Sequence, residues 1–279
     1  MPYDRPDTLP AALAILAREP RVVLAGGTDL YPATEAATLP GPILDIGALA
    51  GLDGIASTPE GLRIGALTPW SAIRDAALPP ALDALRQAAA EVGGVQIQNA
   101  GTIGGNLCNA SPAADGVPPL LALDAEVELV SAAGTRRLPL SRFLIGPRRT
   151  ARRSDELLAA ILVPAAAILG RSVFLKLGAR RYLVISIAMA AARIALADGR
   201  VAAAALAVGA CGPVATRLPA VEAALLGHPP DPRRIDPAAV AAALAPIDDH
   251  RAPAGYRAEA AAELLGRAVA ALALAGPPR

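Results

Sequence analysis

Apolar residues recur at helical spacing early in the chain, where Leu9, Leu13 and Leu16 share one face, and then crowd into the run Val22-Val23-Leu24. The first pattern predicts a helix over 9–18; the second predicts a strand that runs into Ala25-Gly26-Gly27-Thr28-Asp29. Further short strands are expected at 43–46, 55–57 and 62–64, with Pro59-Glu60-Gly61 turning between the last two. A helix should start near Trp70, with Thr68 as N-cap and Pro69 at its first position. Residues 81–91 predict another helix, stopped by Gly93-Gly94.

Downstream, residues 126–131 and 135–140 alternate around Ala133-Gly134 as a hairpin would, and 156–163 reads as a strand ending at Pro164. The segment 164–171 marks a domain boundary. Beyond it, 173–177, 185–197 and 201–208 predict strands, the last two joined by Asp198-Gly199, a strong tight-hairpin signal. Helices are expected at 220–226, 237–244 and 256–274. Antiparallel strands followed by helices predict an α+β C-terminal domain behind a β-containing α/β lobe.

A chain of 279 residues can bury a large core. With 26 basic and 25 acidic residues, no global field argues for nucleic acid or an anionic membrane. The local cluster Arg148-Arg149 with Arg152-Arg153 lacks interleaved aromatics and reads at least as well as a solvated loop. Two cysteines, Cys108 and Cys211, are too few for a disulfide framework, a four-thiolate metal site or an iron–sulfur site. They read as free thiols in a reducing compartment. The amino terminus shows no basic-then-apolar signal pattern, and the longest apolar run, 182–192, is too short to span a bilayer. A cytoplasmic protein with no membrane span is expected. His228 and His250 have no metal spacing and read as solvated.

The chemistry-bearing text is Thr102-Ile103-Gly104-Gly105-Asn106, followed by Ser111 and Asp115, with a second glycine turn at Gly26-Gly27. Adjacent glycines let backbone N–H groups approach anionic oxygens, Thr102, Asn106 and Ser111 add neutral donors, and Asp115 suits a ribose or ribityl hydroxyl. Each motif alone also reads as an ordinary turn. Neither has the spacing of a Rossmann fingerprint or a P-loop. Lys176 is the only lysine, which composition explains equally by chance or by a need for a compact ammonium.

Taken in order, several motifs resemble the flavin-binding medium subunit of molybdenum hydroxylases, the family of carbon monoxide dehydrogenase and bacterial xanthine dehydrogenase. They are 25–30, Leu44-Asp45-Ile46, 95–115, 119–127, Asp155-Glu156-Leu157-Leu158, 176–181, 248–251 and Tyr256-Arg257. The resemblance implies an α+β chain: a two-lobed FAD-binding unit of the vanillyl-alcohol-oxidase-like (PCMH-type) fold with a C-terminal domain of antiparallel sheet plus helices. The lobes would span 1–56 and 57–167, and the C-terminal flavoprotein domain 168–279. FAD is the implied cofactor. The implied partners are a molybdopterin-binding large subunit and a two-cluster iron–sulfur small subunit, with electrons leaving to NAD, a quinone or oxygen.

By the same resemblance, Leu24, Ala25, Gly26, Gly27, Thr28, Asp29 and Leu30, with Gly101, Thr102, Gly104, Gly105 and Asn106, would wrap the pyrophosphate. Ser111 would join the cradle, Asp115 would hold a sugar hydroxyl, Arg148 would lie near the cofactor and Leu158 would pack on the flavin ring. Lys176 would place positive charge near the ring or its ribityl chain. Tyr182 either covers one flavin face or simply packs. Two departures stand out: Val92 replaces an aromatic of some relatives, and Tyr182-Leu183-Val184 replace acidic residues of eukaryotic xanthine oxidisers. The alternatives are a self-contained flavin oxidase, for which little chain remains to form a substrate cap, and a non-catalytic FAD-binding assembly protein.

Overall fold

The first lobe is built by a crossover. In the computed structural model, which describes residues 2–36 and 38–274, strand Tyr3–Asp4 leads into helix Leu9–Arg18 and back to strand Val22–Leu24. Both strands pair in parallel with Ile43–Asp45, the middle strand, and parallel pairing requires such a connection. Thr8 caps the helix by accepting from the Ala11 N–H, and Ala12 and Leu16 bury its inner face.

The second lobe is a five-stranded antiparallel sheet in the order Ile55–Thr58, Gly61–Gly65, Leu157–Pro164, Glu126–Ser131, Gly134–Pro139. Its central strand is buried almost throughout, which is why residues 157–163 carry no polar alternation. Residue 57, where the second lobe is expected to begin, lies inside Ile55–Thr58, which pairs within this second sheet. Between its second and fourth strands the chain inserts helices Trp70–Asp75, Asp83–Glu91, Val95–Ala100, Ile103–Asn109 and Val117–Ala122. Trp70, Ile73, Leu85, Ile103, Leu107, Leu120 and Phe143 fill the core beneath them. The expected Thr68 cap is corrected. Pro69 is the N-cap, with no side-chain cap bond, and Thr68 Oγ1 donates to the Gly54 carbonyl instead.

The third unit is a four-stranded antiparallel sheet of Arg171–Leu177, Ala188–Ala197, Arg200–Gly209 and Thr216–Arg217. Asp198 and Gly199 both take positive φ, 51° and 73°, as a two-residue hairpin turn demands. The expected strand over 185–197 starts only at Ala188. Alternate residues of that strand serve two cores: Ala188, Ala190 and Ala192 pack with the long helix Ala254–Leu274, while Met189 and Ala191 pack with Phe174, Ala84, Ala88 and Ala122. Burial on both faces explains the unbroken apolar text, and alanine's small side chain lets helices approach on both sides.

One contact line positions the site. Helix Asp83–Glu91 lies along strand Arg171–Leu177. Ser172 Oγ accepts from the Ala84 N–H, Gln87 Oε1 accepts from the Phe174 N–H, and Lys176 Nζ reaches the Glu91 carbonyl. Helix positions 84, 87 and 91 share a face, as do strand positions 172, 174 and 176, so the two periodicities mesh and fix where Lys176 emerges. Among the described residues no helix is long and apolar enough to cross a membrane.

Candidate cofactor site

The two glycine-bearing segments meet. A Cβ on Gly26 would overlap the Ala100 carbonyl, so glycine there is required by the close passage of residues 100–101. Gly27 has φ +70°, and a Cβ on it would overlap the Tyr31 ring. Asn109 Nδ2 donates to Asp29 Oδ1 at 2.6 Å, and Arg148 donates to Asn109 Oδ1 while lying 3.9 Å from Asp29. Arg148 therefore stands at the junction of the two segments.

The backbone donors divide unevenly. Among the described residues, no hydrogen bond uses the N–H groups of Gly26, Gly27, Thr28 or Asp29. The corresponding groups downstream are engaged: Ile103 donates to Thr68 O, Gly104 to Ala66 O, Gly105 to Thr102 Oγ1 and Asn106 to Thr102 O. Gly104 exists for packing, since its Cβ would sit 2.6 Å from Ala66 O and 2.7 Å from Ala66 Cβ. The Gly104 and Gly105 N–H groups thus have partners within the protein. What that segment offers instead is the Asn106 Oδ1 atom, buried and without a partner, beside Gly116. Ser111 Oγ accepts from the Ala113 N–H, which leaves its own proton to donate.

Asp115 and Lys176 form an ion pair at 2.9 Å, with side chains only 11% and 8% exposed. Ser186 Oγ donates to the other carboxylate oxygen at 3.2 Å. Burial holds the Asp115 carboxyl above the usual carboxylate range, although Lys176 and Ser186 both pull it down. Lys176 also lines a cleft of about 570 Å³ with Gln87, Glu91, Phe174, Arg180 and Val184. That volume lies within the span typical of small-molecule sites. Tyr182 stands outside it, 61% exposed, with the Arg181 guanidinium 5.1 Å from its ring centroid. Leu158 is 4% exposed in the second lobe's core, opposite Leu129 in the sheet. Sequence reasoning missed Asn109 and Ser186; both are ordinary polar residues whose partners lie far away along the chain.

The row of free donors, the unpartnered amide oxygen and the cation at the strand end fit a dinucleotide cofactor, and the lobes define an FAD-binding fold. Residues 1–166 match the FAD binding domain in molybdopterin dehydrogenase, and 174–272 match the CO dehydrogenase flavoprotein C-terminal domain. The nicotinate dehydrogenase FAD-subunit of Eubacterium barkeri is 36% identical over 66% of this chain, and the match spans 65% of that relative's length. The carbon monoxide dehydrogenase medium chain of Afipia carboxidovorans is 33% identical over 96% of this chain and 94% of its own. The reconstituted CO dehydrogenase from Oligotropha carboxidovorans superposes with a TM-score of 0.91 at 29% identity, covering 98% of each chain. The chain belongs to the family of FAD-binding subunits of the molybdenum hydroxylases.

Proposed function

We propose that this chain is the FAD-carrying electron-transfer subunit of a molybdenum hydroxylase complex, assembled with a molybdopterin-binding large subunit and a two-cluster iron–sulfur small subunit. The observation that carries the reading is the row of four unpaired N–H groups from Gly26 to Asp29, pressed against the 100–109 segment. Successive free amides beside glycines suit the oxygens of a pyrophosphate, and the Thr28 hydroxyl, Ser111 and Asn106 add donors and an acceptor around them. Asp115 accepts from a sugar hydroxyl of the cofactor, and Arg148 secures the turn that holds the phosphates. Lys176 brings a largely desolvated positive charge to the cleft wall, where it favours negative charge on a bound group. Bound FAD supplies the redox chemistry that joins iron–sulfur donors to an acceptor such as NAD, a quinone or oxygen.

The test begins with the purified chain incubated with FAD, freed of excess and examined by visible absorption, with chromatography of whatever flavin heat releases. Non-covalently retained FAD is expected. Reconstitution with the molybdenum and iron–sulfur subunits should then show the flavin band bleaching during substrate turnover. A flavin that stays oxidised throughout turnover rejects the electron-transfer role.

A further inference from the structure

Strand Arg171–Leu177, whose end lines the cleft, is joined to its partner Ala188–Ala197 by a loop whose neck is closed by the Ile187 N–H donating to Leu177 O at 2.8 Å. Within the loop, Arg180 Nε donates to Leu183 O, Arg181 lies over Tyr182, and Leu183 takes a positive φ of 53°. Those contacts shape the loop without attaching it to the rest of the protein. Beside the Arg257 guanidinium, which holds the Ile187 carbonyl at the neck, one carboxylate outside the sheet grips both sides of it. Asp115, just ahead of helix Val117–Ala122, takes Lys176 on Oδ2 from one side of the neck and Ser186 on Oδ1 from the other.

We infer that Ser186 is a positioning residue that ties the 178–186 loop to the cofactor-binding carboxylate, so that FAD occupancy and the order of this loop are coupled. This rests on the FAD reading of Asp115 given above. Ser186 is fully buried, and its one hydroxyl proton has two acceptors in reach, Asp115 Oδ1 and the weak acceptor Met189 Sδ at 3.8 Å. The carboxylate is by far the better acceptor, so the bond is fixed by chemistry as well as by geometry. A carboxylate has about four lone-pair sites, so Asp115 can accept a cofactor hydroxyl while keeping Lys176 and Ser186. With Ser186 in place, the carboxylate is already oriented before the cofactor arrives. A bound cofactor in turn holds the carboxylate to which the loop is tied. Such a coupling must act equally in both directions. The consequence is local, because Gly178, Arg180, Arg181 and Val184 of this loop line the cleft.

The loop carries its own reporter, since trypsin cuts after Arg180 and Arg181, and the exposed Arg233 supplies a distant reference site. Cleavage at each site is followed by mass spectrometry on the full chain, with and without FAD, alongside FAD affinity from flavin fluorescence. FAD should slow the loop cuts of the wild type and leave the Arg233 cut unchanged. Ser186→Ala should speed the loop cuts without FAD, weaken FAD binding by about tenfold, the scale of one hydrogen bond to a charged group, and reduce FAD protection. Ser186→Thr, which keeps the hydroxyl, should recover both. Loop cuts in Ser186→Ala at the wild-type rate, or equal FAD protection of both proteins, overturn the proposal. If neither variant folds, the wild type still decides, because FAD that binds without slowing the loop cuts rejects the coupling. A wild type that binds no FAD defeats the cofactor reading itself, while the cleavage rates without FAD still test the tie.

Discussion

Asn109 reaches across 80 residues of sequence to donate a 2.6 Å hydrogen bond to Asp29. The bond fastens the glycine turn of the first lobe to the end of a helix in the second, and Arg148 braces it through the Asn109 carbonyl oxygen. Asn109→Ala removes both contacts and leaves the turn with its free amides less firmly placed. Because the bond is partly solvated, FAD affinity should fall by roughly three- to tenfold with little loss of global stability. Titration of flavin fluorescence beside a urea melt measures the two effects separately. Unchanged FAD affinity would show that the junction does not organise the phosphate turn.

The glycines of the two segments answer different demands, and substitution should separate them. Gly104→Ala pushes a methyl into Ala66 at the start of helix Ile103–Asn109, an overpacking that costs about 1–3 kcal/mol. Its N–H is already bonded within the protein, so FAD affinity of the folded variant should be near that of the wild type. Gly26→Ala instead forces residues 26–29 away from Ala100 and should abolish FAD retention. Equal loss of FAD in both variants would return Gly104 to the binding surface.

Much of this architecture was legible because apolar patterning is local. The Asp198-Gly199 turn and the long helix Ala254–Leu274 stand close to where periodicity places them. Helices Val95–Ala100 and Ile103–Asn109 were hidden. Each is under two turns long, too short for a periodic signal, and the helix-weakening pair Gly104-Gly105 reads as a turn until its packing against Ala66 is seen. The strand over 185–187 was over-read, because an apolar loop end and a strand end look alike in sequence. At the site, residue types suggested a phosphate turn at Gly26-Gly27. Nothing local could reveal that Asp115 is gripped by Lys176 from 61 residues away, or that Asn109 finds Asp29.

A second ion pair fixes the C-terminal helix. Arg257, 2% exposed, donates to the carbonyls of Ile187 and Ala210 and to Asp249 Oδ1, and Asp249 also binds Arg251. Burial alone would raise the Asp249 carboxyl, but the Arg251 amide and guanidinium and then Arg257 outweigh it and hold it well below the usual carboxylate range. Glu156 is likewise held low, its burial outweighed by Arg136 and the Arg153 amide. A carboxyl depressed on folding contributes stability above its unfolded pKa and loses it as pH falls through the folded value. Acid should therefore destabilise the chain below the ordinary carboxylate range, and Asp249→Asn should be less stable at neutral pH with a shallower acid limb. Urea midpoints from pH 7 to 3 check this; parallel curves for variant and wild type would exclude Asp249 as a source of the acid sensitivity.

Asp115 carries the opposite sign. Its carboxyl is raised on folding, so the folded chain holds that proton more tightly than the unfolded chain, and stability is lost as pH rises from the ordinary carboxylate range through the raised value. Lys176 limits this loss by favouring the charged form. Lys176→Met leaves the desolvation unopposed, so the loss should deepen and extend to higher pH. Breaking a buried pair from one side costs about 3–5 kcal/mol, and proton uptake by Asp115 lowers that figure. The stability gap between variant and wild type should be small at pH 4 and wide at pH 8 in urea unfolding. Adding Asp115→Asn to Lys176→Met should close most of the gap at pH 8, since the uncompensated charge is then gone. A gap of constant size across pH would mean that Lys176 supports the fold through packing of its stem. Its charge would then not be what steadies Asp115.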